Sequence, residues 1–88
     1  MNQSAVVMYA TASCPFCVAA RNLLHSKGVR WTEVAVDQQT EKRAEMMQRA
    51  GRHTVPQIFI GDQHVGGFDD LDRLEREGGL DRLLSDIS

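Results

Sequence analysis

Two short runs of apolar and β-branched residues, Ala5-Val6-Val7-Met8-Tyr9-Ala10 and Arg30-Trp31-Thr32-Glu33-Val34-Ala35-Val36, flank a segment that opens at Pro15 and closes at Gly28. Both runs read as strands, and the first lacks alternation, as a strand buried on both faces does. Proline is favoured at the first helical position, where its missing N–H costs nothing, and glycine just past the last. Ala20, Leu23 and Leu24 form a helical stripe between those two signals. Strand, helix and strand in that order make a βαβ unit, which sets two parallel strands side by side.

The second half of the chain continues the pattern. Thr40 reads as the N-cap of a helix running from about Glu41 to Ala50, which buries Met46, Met47 and Ala50 and stops at Gly51. Gln57-Ile58-Phe59-Ile60 and His64-Val65-Gly66-Gly67 lie either side of Gly61-Asp62-Gln63 and read as a β-hairpin. Asp69 reads as the cap of a third helix bearing Leu71 and Leu74, broken at Gly78-Gly79. Leu80, Leu83, Leu84 and Ile87 then recur at helical spacing, so a short terminal helix should pack back on the sheet. The expected order is β-α-β-α-β-β-α, a four-stranded mixed sheet with helices on its faces, in one domain spanning residues 1–88.

With 88 residues there is room for one modest core, and 42% hydrophobic against 25% charged residues is ordinary for a soluble globular protein. Net charge is −2 and the basic residues are scattered, which argues against nucleic acid as a partner. The apolar run before Thr11 is too short to span a bilayer and has neither the basic flank nor the cleavage site of a signal peptide. A cytoplasmic protein with no membrane association is therefore expected. Lasting structural disulfides are uncommon in that compartment, so two cysteines three positions apart point to catalysis or to metal.

Zinc wants four ligands, whereas the chain offers Cys14 and Cys17 plus His25, His53 and His64 without a second matching pair. A proline inside the pair suits a helix start better than a zinc knuckle. With Pro15 as the first helical residue, Cys14 is the N-cap and Cys17 stands one turn further in. The Cys14 sulfur then faces unpaired N–H groups of the first turn, which favour an anion. A free thiol with a pKa near 8.5 is only about 3% thiolate at pH 7, and helix N-termini can lower it to ~3.5–7.5. The helix dipole supplies ~0.3–1 kcal/mol, below the ~1.36 kcal/mol of one pK unit, so direct hydrogen bonds must do the rest. Cys14 is thus the expected nucleophile and Cys17 the resolving thiol.

Cys14-Pro15-Phe16-Cys17, the segment Thr54 to Ile60 (TVPQIFI) and the segment Gly66 to Leu71 (GGFDDL) together resemble a bacterial dithiol glutaredoxin. The three motifs occur in the family's order and span essentially the whole chain. The resemblance implies a thioredoxin-like α/β fold. It implies a monomeric oxidoreductase that uses glutathione as co-substrate, with no metal and no tightly bound cofactor. Its partners would be disulfide-bonded or glutathionylated proteins, and the first cysteine alone would suffice for deglutathionylation. By the same resemblance Pro56 is cis beside the cysteines, and the Val55 N–H and C=O pair with the glutathione cysteinyl segment. The implied glutathione contacts are Thr11, Pro15, Phe16, Arg43, His53, Thr54, Val55, Pro56, Gly67, Phe68, Asp69 and Asp70. Among them the Phe68 and Asp69 backbone would take the γ-glutamyl α-carboxylate, and Asp70 its amine.

One position departs from the family. Relatives often carry lysine where this chain has Thr11, so glutathione would either bind more weakly or lean on Arg43, Arg52 and His53 for its glycyl carboxylate. For Arg43 and Arg52 the competing reading is a solvated helix-end charge. Phe16 reads as shielding the site, Tyr9 as packing beneath the active-site loop, and His25 and His64 as surface residues. Two rival functions share the fold. A redoxin recharged by thioredoxin reductase is disfavoured by GGFDDL, and a glutathione-ligated iron–sulfur carrier by the stiffening Pro15.

Overall fold

The computed structural model describes residues 5–86. Its elements in order are β1 (Val6–Ala10), α1 (Pro15–Ser26), β2 (Thr32–Ala35), α2 (Thr40–Ala50), β3 (Gln57–Ile60), β4 (Gln63–Gly66), α3 (Phe68–Arg76) and α4 (Gly79–Asp86). The sheet order is β2-β1-β3-β4, with β1 parallel to β2 and antiparallel to β3. β1 is therefore paired along both edges. Its side chains are also used on both faces, which is why its sequence lacks alternation. Val6, Met8 and Ala10 join Cys17, Ala20 and Leu24 of α1, Ile58 and Ile60 of β3, Leu71 of α3 and Leu80 of α4 in one apolar cluster. Tyr9 points to the other face, where it meets Val36, Phe59 and Met46 of α2.

The helix ends read from the sequence are largely in place. Gly28 follows the α1 cap with φ +71°, and Gly51 ends α2 with φ +69°, a backbone conformation other residues adopt only at a cost. The second strand is shorter than expected. Arg30 and Trp31 precede it and Val36 follows it, although the Val36 N–H still donates to the Ala10 carbonyl at 3.0 Å. The Gln38 and Gln39 N–H groups then both donate to the Ala35 carbonyl, closing the turn before the ladder can extend.

Thr40 is not a cap. Gln39 holds the extended N-cap conformation, with no side-chain cap bond, and its carbonyl accepts from the Lys42 and Arg43 N–H groups. Met47 is not core either: it is 46% exposed while Met46 is fully buried. Adjacent helix residues point about 100° apart, and only the Met46 direction meets the sheet. Asp69 is likewise not the cap of α3. Gly67 is the N-cap, and Asp70 accepts its N–H at 3.0 Å. Tyr9 packs beneath α2, its hydroxyl donating to Glu45 (2.6 Å) and accepting from Arg49 (2.8 Å). The terminal helix forms, and Leu80 is buried with Leu83 and Leu84 beside it, while Ile87 lies outside the described residues.

β4 carries one irregularity that matters for the site. Gly66 stands opposite Ile58, whereas His64 stands opposite Phe59, so Val65 is an extra residue in the strand, a β-bulge.

The two methionines give a direct test. Met46→Ala should lower stability by about 2–5 kcal/mol through lost burial and a cavity, whereas Met47→Ala should change it by less than about 0.5 kcal/mol. Urea unfolding midpoints of the two variants would measure the contrast.

Candidate active site

The site begins at the mouth of α1. Cys14 is the N-cap, extended at φ −75° and ψ 123°, and Pro15 starts the helix. The Val18 N–H donates to the Cys14 carbonyl at 3.0 Å, closing the first turn. This geometry separates the two thiols. Cys14 is partly accessible, while Cys17, at the third helical position, is fully buried in the main cluster. Phe16 between them is 58% exposed.

In its protonated form Cys14 makes no cap bond and donates weakly to the Val55 carbonyl at 3.7 Å. Its acidity reflects opposing influences. Burial raises the pKa, but the Cys17 N–H, the Cys17 thiol, the Phe16 N–H and the Arg21 charge outweigh it, leaving Cys14 below an ordinary thiol. Cys17 goes the other way. Burial, reinforced by the neighbouring Cys14 sulfur, pushes it up to about 11, against a lowering contribution from the Thr11 backbone. The first cysteine is thus the more acidic of the pair, and the second holds its proton.

Arg21 supplies a charge that the sequence reading overlooked. It follows Cys17 by four residues and so shares its helix face. Its Nη2 donates to the Thr11 carbonyl at 3.0 Å, and it grips the Glu33 carboxylate at 2.6–3.1 Å. The side-chain charge missing at Thr11 has a counterpart in a guanidinium held by the Thr11 backbone.

The opposite wall comes from the turn into β3. The Val55–Pro56 bond is cis. β3 starts at Gln57, so the Val55 N–H and C=O lie outside the ladder. The third wall is the junction of β4 and α3. A side chain at Gly66, where φ is +117°, would run into the Asp70 carboxylate. The bulge therefore delivers a residue without a side chain where α3 begins. Asp70 Oδ2 accepts from the Gly67 N–H and from Arg52, each at 3.0 Å, and Arg52 chiefly, then Gly67, holds this carboxyl below the usual range.

These walls enclose a cavity of about 290 Å³ lined by Phe16, Arg52, Thr54, Val55, Pro56, Gly67, Phe68, Asp69 and Asp70. Most of the expected contact residues thus converge. Thr11, Pro15, Arg43 and His53 do not line it: Arg43 donates to the His53 carbonyl (3.1 Å), and Thr11 offers its own carbonyl to Arg21. Of Arg43, Arg52 and His53, only Arg52 lines it. His64, read as a surface residue, is half-buried and stacked on Phe59, with ring centroids 4.8 Å apart. Among the described residues no group of three or more His, Cys, Asp or Glu side chains is arranged to hold a metal ion. No helix among them is long and apolar enough to cross a membrane.

The glutaredoxin family model matches residues 6–65, from β1 into β4. The chain belongs to the glutaredoxin family. A glutaredoxin of Pseudomonas aeruginosa is 58% identical over 80 residues, covering 91% of this chain and 95% of the relative. Glutaredoxin 3 of Escherichia coli is 53% identical over 79 residues, covering 90% and 95%. Among solved structures, the glutaredoxin of Brucella melitensis aligns with a TM-score of 0.81 at 51% identity, over 92% of this chain and 88% of that one. A buckwheat glutaredoxin–glutathione complex aligns with a TM-score of 0.87 at 29% identity, over 94% and 78%. The chain is a thiol–disulfide oxidoreductase, and its sheet and helices are those of the thioredoxin-like glutaredoxins.

The two thiol environments predict a split in reactivity. The iodoacetamide reaction of Cys14 should inflect below the ~8.5 of a free thiol. Cys17→Ala, which removes a hydrogen-bond donor to the thiolate, should move that inflection upward, and Cys17→Ser, which keeps a donor, should move it less. Alkylation rates across pH 4–10 would report all three.

Proposed function

We propose that the chain reduces protein–glutathione mixed disulfides and protein disulfides at Cys14, with glutathione as the reductant. The observation that carries this reading is the single cavity running from Val55, beside the Cys14 sulfur, to the first turn of α3. It offers a backbone edge outside the ladder, helix N–H groups and one ion pair, which match the cysteinyl backbone, the carboxylate and the amine of glutathione. The buckwheat relative, solved as a glutathione complex, supports the same reading.

In the proposed subsites, the Val55 N–H and C=O pair with the cysteinyl segment, flanked by Thr54, Pro56 and Phe16. The N–H groups of Phe68 and Asp69 receive the γ-glutamyl α-carboxylate, with Gly67 allowing close approach. Both contacts of Asp70 fall on Oδ2, so Oδ1 serves the α-amine. Arg43, Arg52 and His53 are the cations proposed for the glycyl carboxylate, with Arg52 lining the cavity and held against Asp70.

The chemistry balances through two exchanges. The Cys14 thiolate attacks the glutathione sulfur of a mixed disulfide, forming Cys14–S–S–glutathione and expelling the protein thiolate, which takes up a proton. A second glutathione, as thiolate, then attacks the glutathione sulfur of that adduct, releasing glutathione disulfide and restoring the Cys14 thiolate. With a protein disulfide, Cys14 instead forms a protein mixed disulfide, which Cys17 resolves. Once Cys14 is in a disulfide, its negative charge no longer opposes ionisation of Cys17, one of the causes of the raised pKa. Forming the mixed disulfide thus eases ionisation of Cys17, while burial, the larger cause, still raises its pKa. Two glutathiones reduce the resulting Cys14–Cys17 disulfide. The working form is proposed to be a single-domain monomer in the cytoplasm, where the glutathione pool keeps such dithiols reduced.

Cys14→Ser should abolish glutathione-dependent reduction of a glutathionylated peptide. Cys17→Ser should retain that reaction and lose reduction of an intramolecular protein disulfide. An assay coupled to enzymatic recycling of glutathione disulfide measures both, and an active Cys14→Ser variant would overturn the assignment.

A further inference from the structure

Gln57 is the one fully buried polar side chain among the described residues. A buried carboxamide is costly unless both its amine and its oxygen find partners. Here both do. Nε2 donates to the Thr54 carbonyl at 3.0 Å and lies 3.3 Å from the Thr54 hydroxyl, while Oε1 sits 2.7 Å from Nε2 of His64. With its amine committed to Thr54, the carboxamide presents an acceptor to His64, so His64 must carry a proton on Nε2. The Nε2–H tautomer and the imidazolium both satisfy this. His64 stands across the hairpin from Phe59 and stacks on its ring. Gln57 and Phe59 are two apart on one strand and share a face, so His64 reaches Gln57 diagonally.

Neither Gln57 nor His64 lines the cavity, but the peptide they hold does. The Thr54 carbonyl and the Val55 N–H belong to one planar trans peptide unit and point in opposite directions. Fixing the carbonyl against Gln57 therefore fixes the direction of the Val55 N–H, pointing away from Gln57.

We propose that Gln57 and His64 are positioning residues: their hydrogen-bonded pair locks the Thr54–Val55 peptide so that Val55 presents its backbone edge to an extended substrate segment beside Cys14. This rests on Val55 being the edge that substrate pairs with, as in the reading above. The pair acts on substrate binding, not on sulfur chemistry, because it touches neither thiol.

The test is single-turnover reduction of two substrates, a peptide disulfide and a glutathionylated peptide, by the pre-reduced protein across substrate concentrations. Gln57→Leu and His64→Phe, the latter keeping the stack on Phe59 but losing the N–H, should raise the half-saturating concentration about threefold to tenfold. The saturating rate and the Cys14 alkylation profile should stay as in the parent protein. His64→Gln, which retains a donor, should restore most of the loss. Thermal midpoints check folding, and the half-exposed His64 decides the matter if Gln57→Leu fails to fold. Unchanged half-saturation in His64→Phe, a loss confined to the saturating rate, or a His64→Gln variant as impaired as His64→Phe would each overturn the inference. Failure on the glutathionylated peptide alone would sink the glutathione reading, and half-saturation by the peptide disulfide would then decide the positioning role.

Discussion

Cys14 stands where a strand paired along both edges hands over to a helix that starts at proline. β1 cannot shift along its axis without breaking two ladders, and it cannot rotate because both faces are packed. Pro15, with its restricted φ, sets the direction of α1 within one residue of the nucleophile. The sulfur is therefore held by the most constrained strand of the sheet, and the opposite walls of the cavity are built around it. The cis-proline turn leads into β3, a direct partner of β1, and the α3 junction follows from β4, the next strand out.

The same helix turn gives two identical side chains opposite properties. A displacement of three residues takes the thiol from a half-open N-cap into the core. The first thiol gains donors for its anion, and the second mainly loses solvent. Each also acts on the other, since Cys17 can donate to the Cys14 thiolate while that charge adds to the burial that keeps Cys17 protonated. A dithiol centre needs this asymmetry, because two equally acidic cysteines would compete to attack. A one-residue change in their spacing would turn Cys17 about 100° around the helix and away from the core.

Much of this was legible in the sequence because it is encoded locally. Pro15, Gly28 and Gly51 act on their own backbone, and Cys14 and Cys17 take their roles from distance to the helix start. What escaped depends on partners far along the chain. Met46 and Met47 are equally apolar, and only the position of the sheet says which is buried. Arg52 pairs with Asp70 and Arg21 with Glu33, choices among many charges that no local pattern ranks. Nothing local to His64 says what it faces, and only the hairpin register, which sets it opposite Phe59, reveals the ring's partner. Asp69 was mistaken for the cap because the preference for Asp at that position ignores how Gly67, with no side chain, lets Asp70 fold back onto its N–H.

The bulge also divides the hairpin into two regions with different tolerance for change. Beyond it, the Gly61-Asp62 tip is exposed and joins two strands whose pairing is already set at Phe59 and Ile60. Extra residues there, such as a label or a grafted loop, add length without altering phase. Between His64 and Gly66 the count of residues is itself the information. Removing Val65 would leave Gly66 opposite Ile58 but take out the bend and added twist that the bulge gives the strand. The α3 N-terminus would then leave the sheet at a different angle to the cysteines. In a glutaredoxin of this kind, the hairpin works as a spacer whose outer end is open to engineering and whose inner end aims the chain into α3.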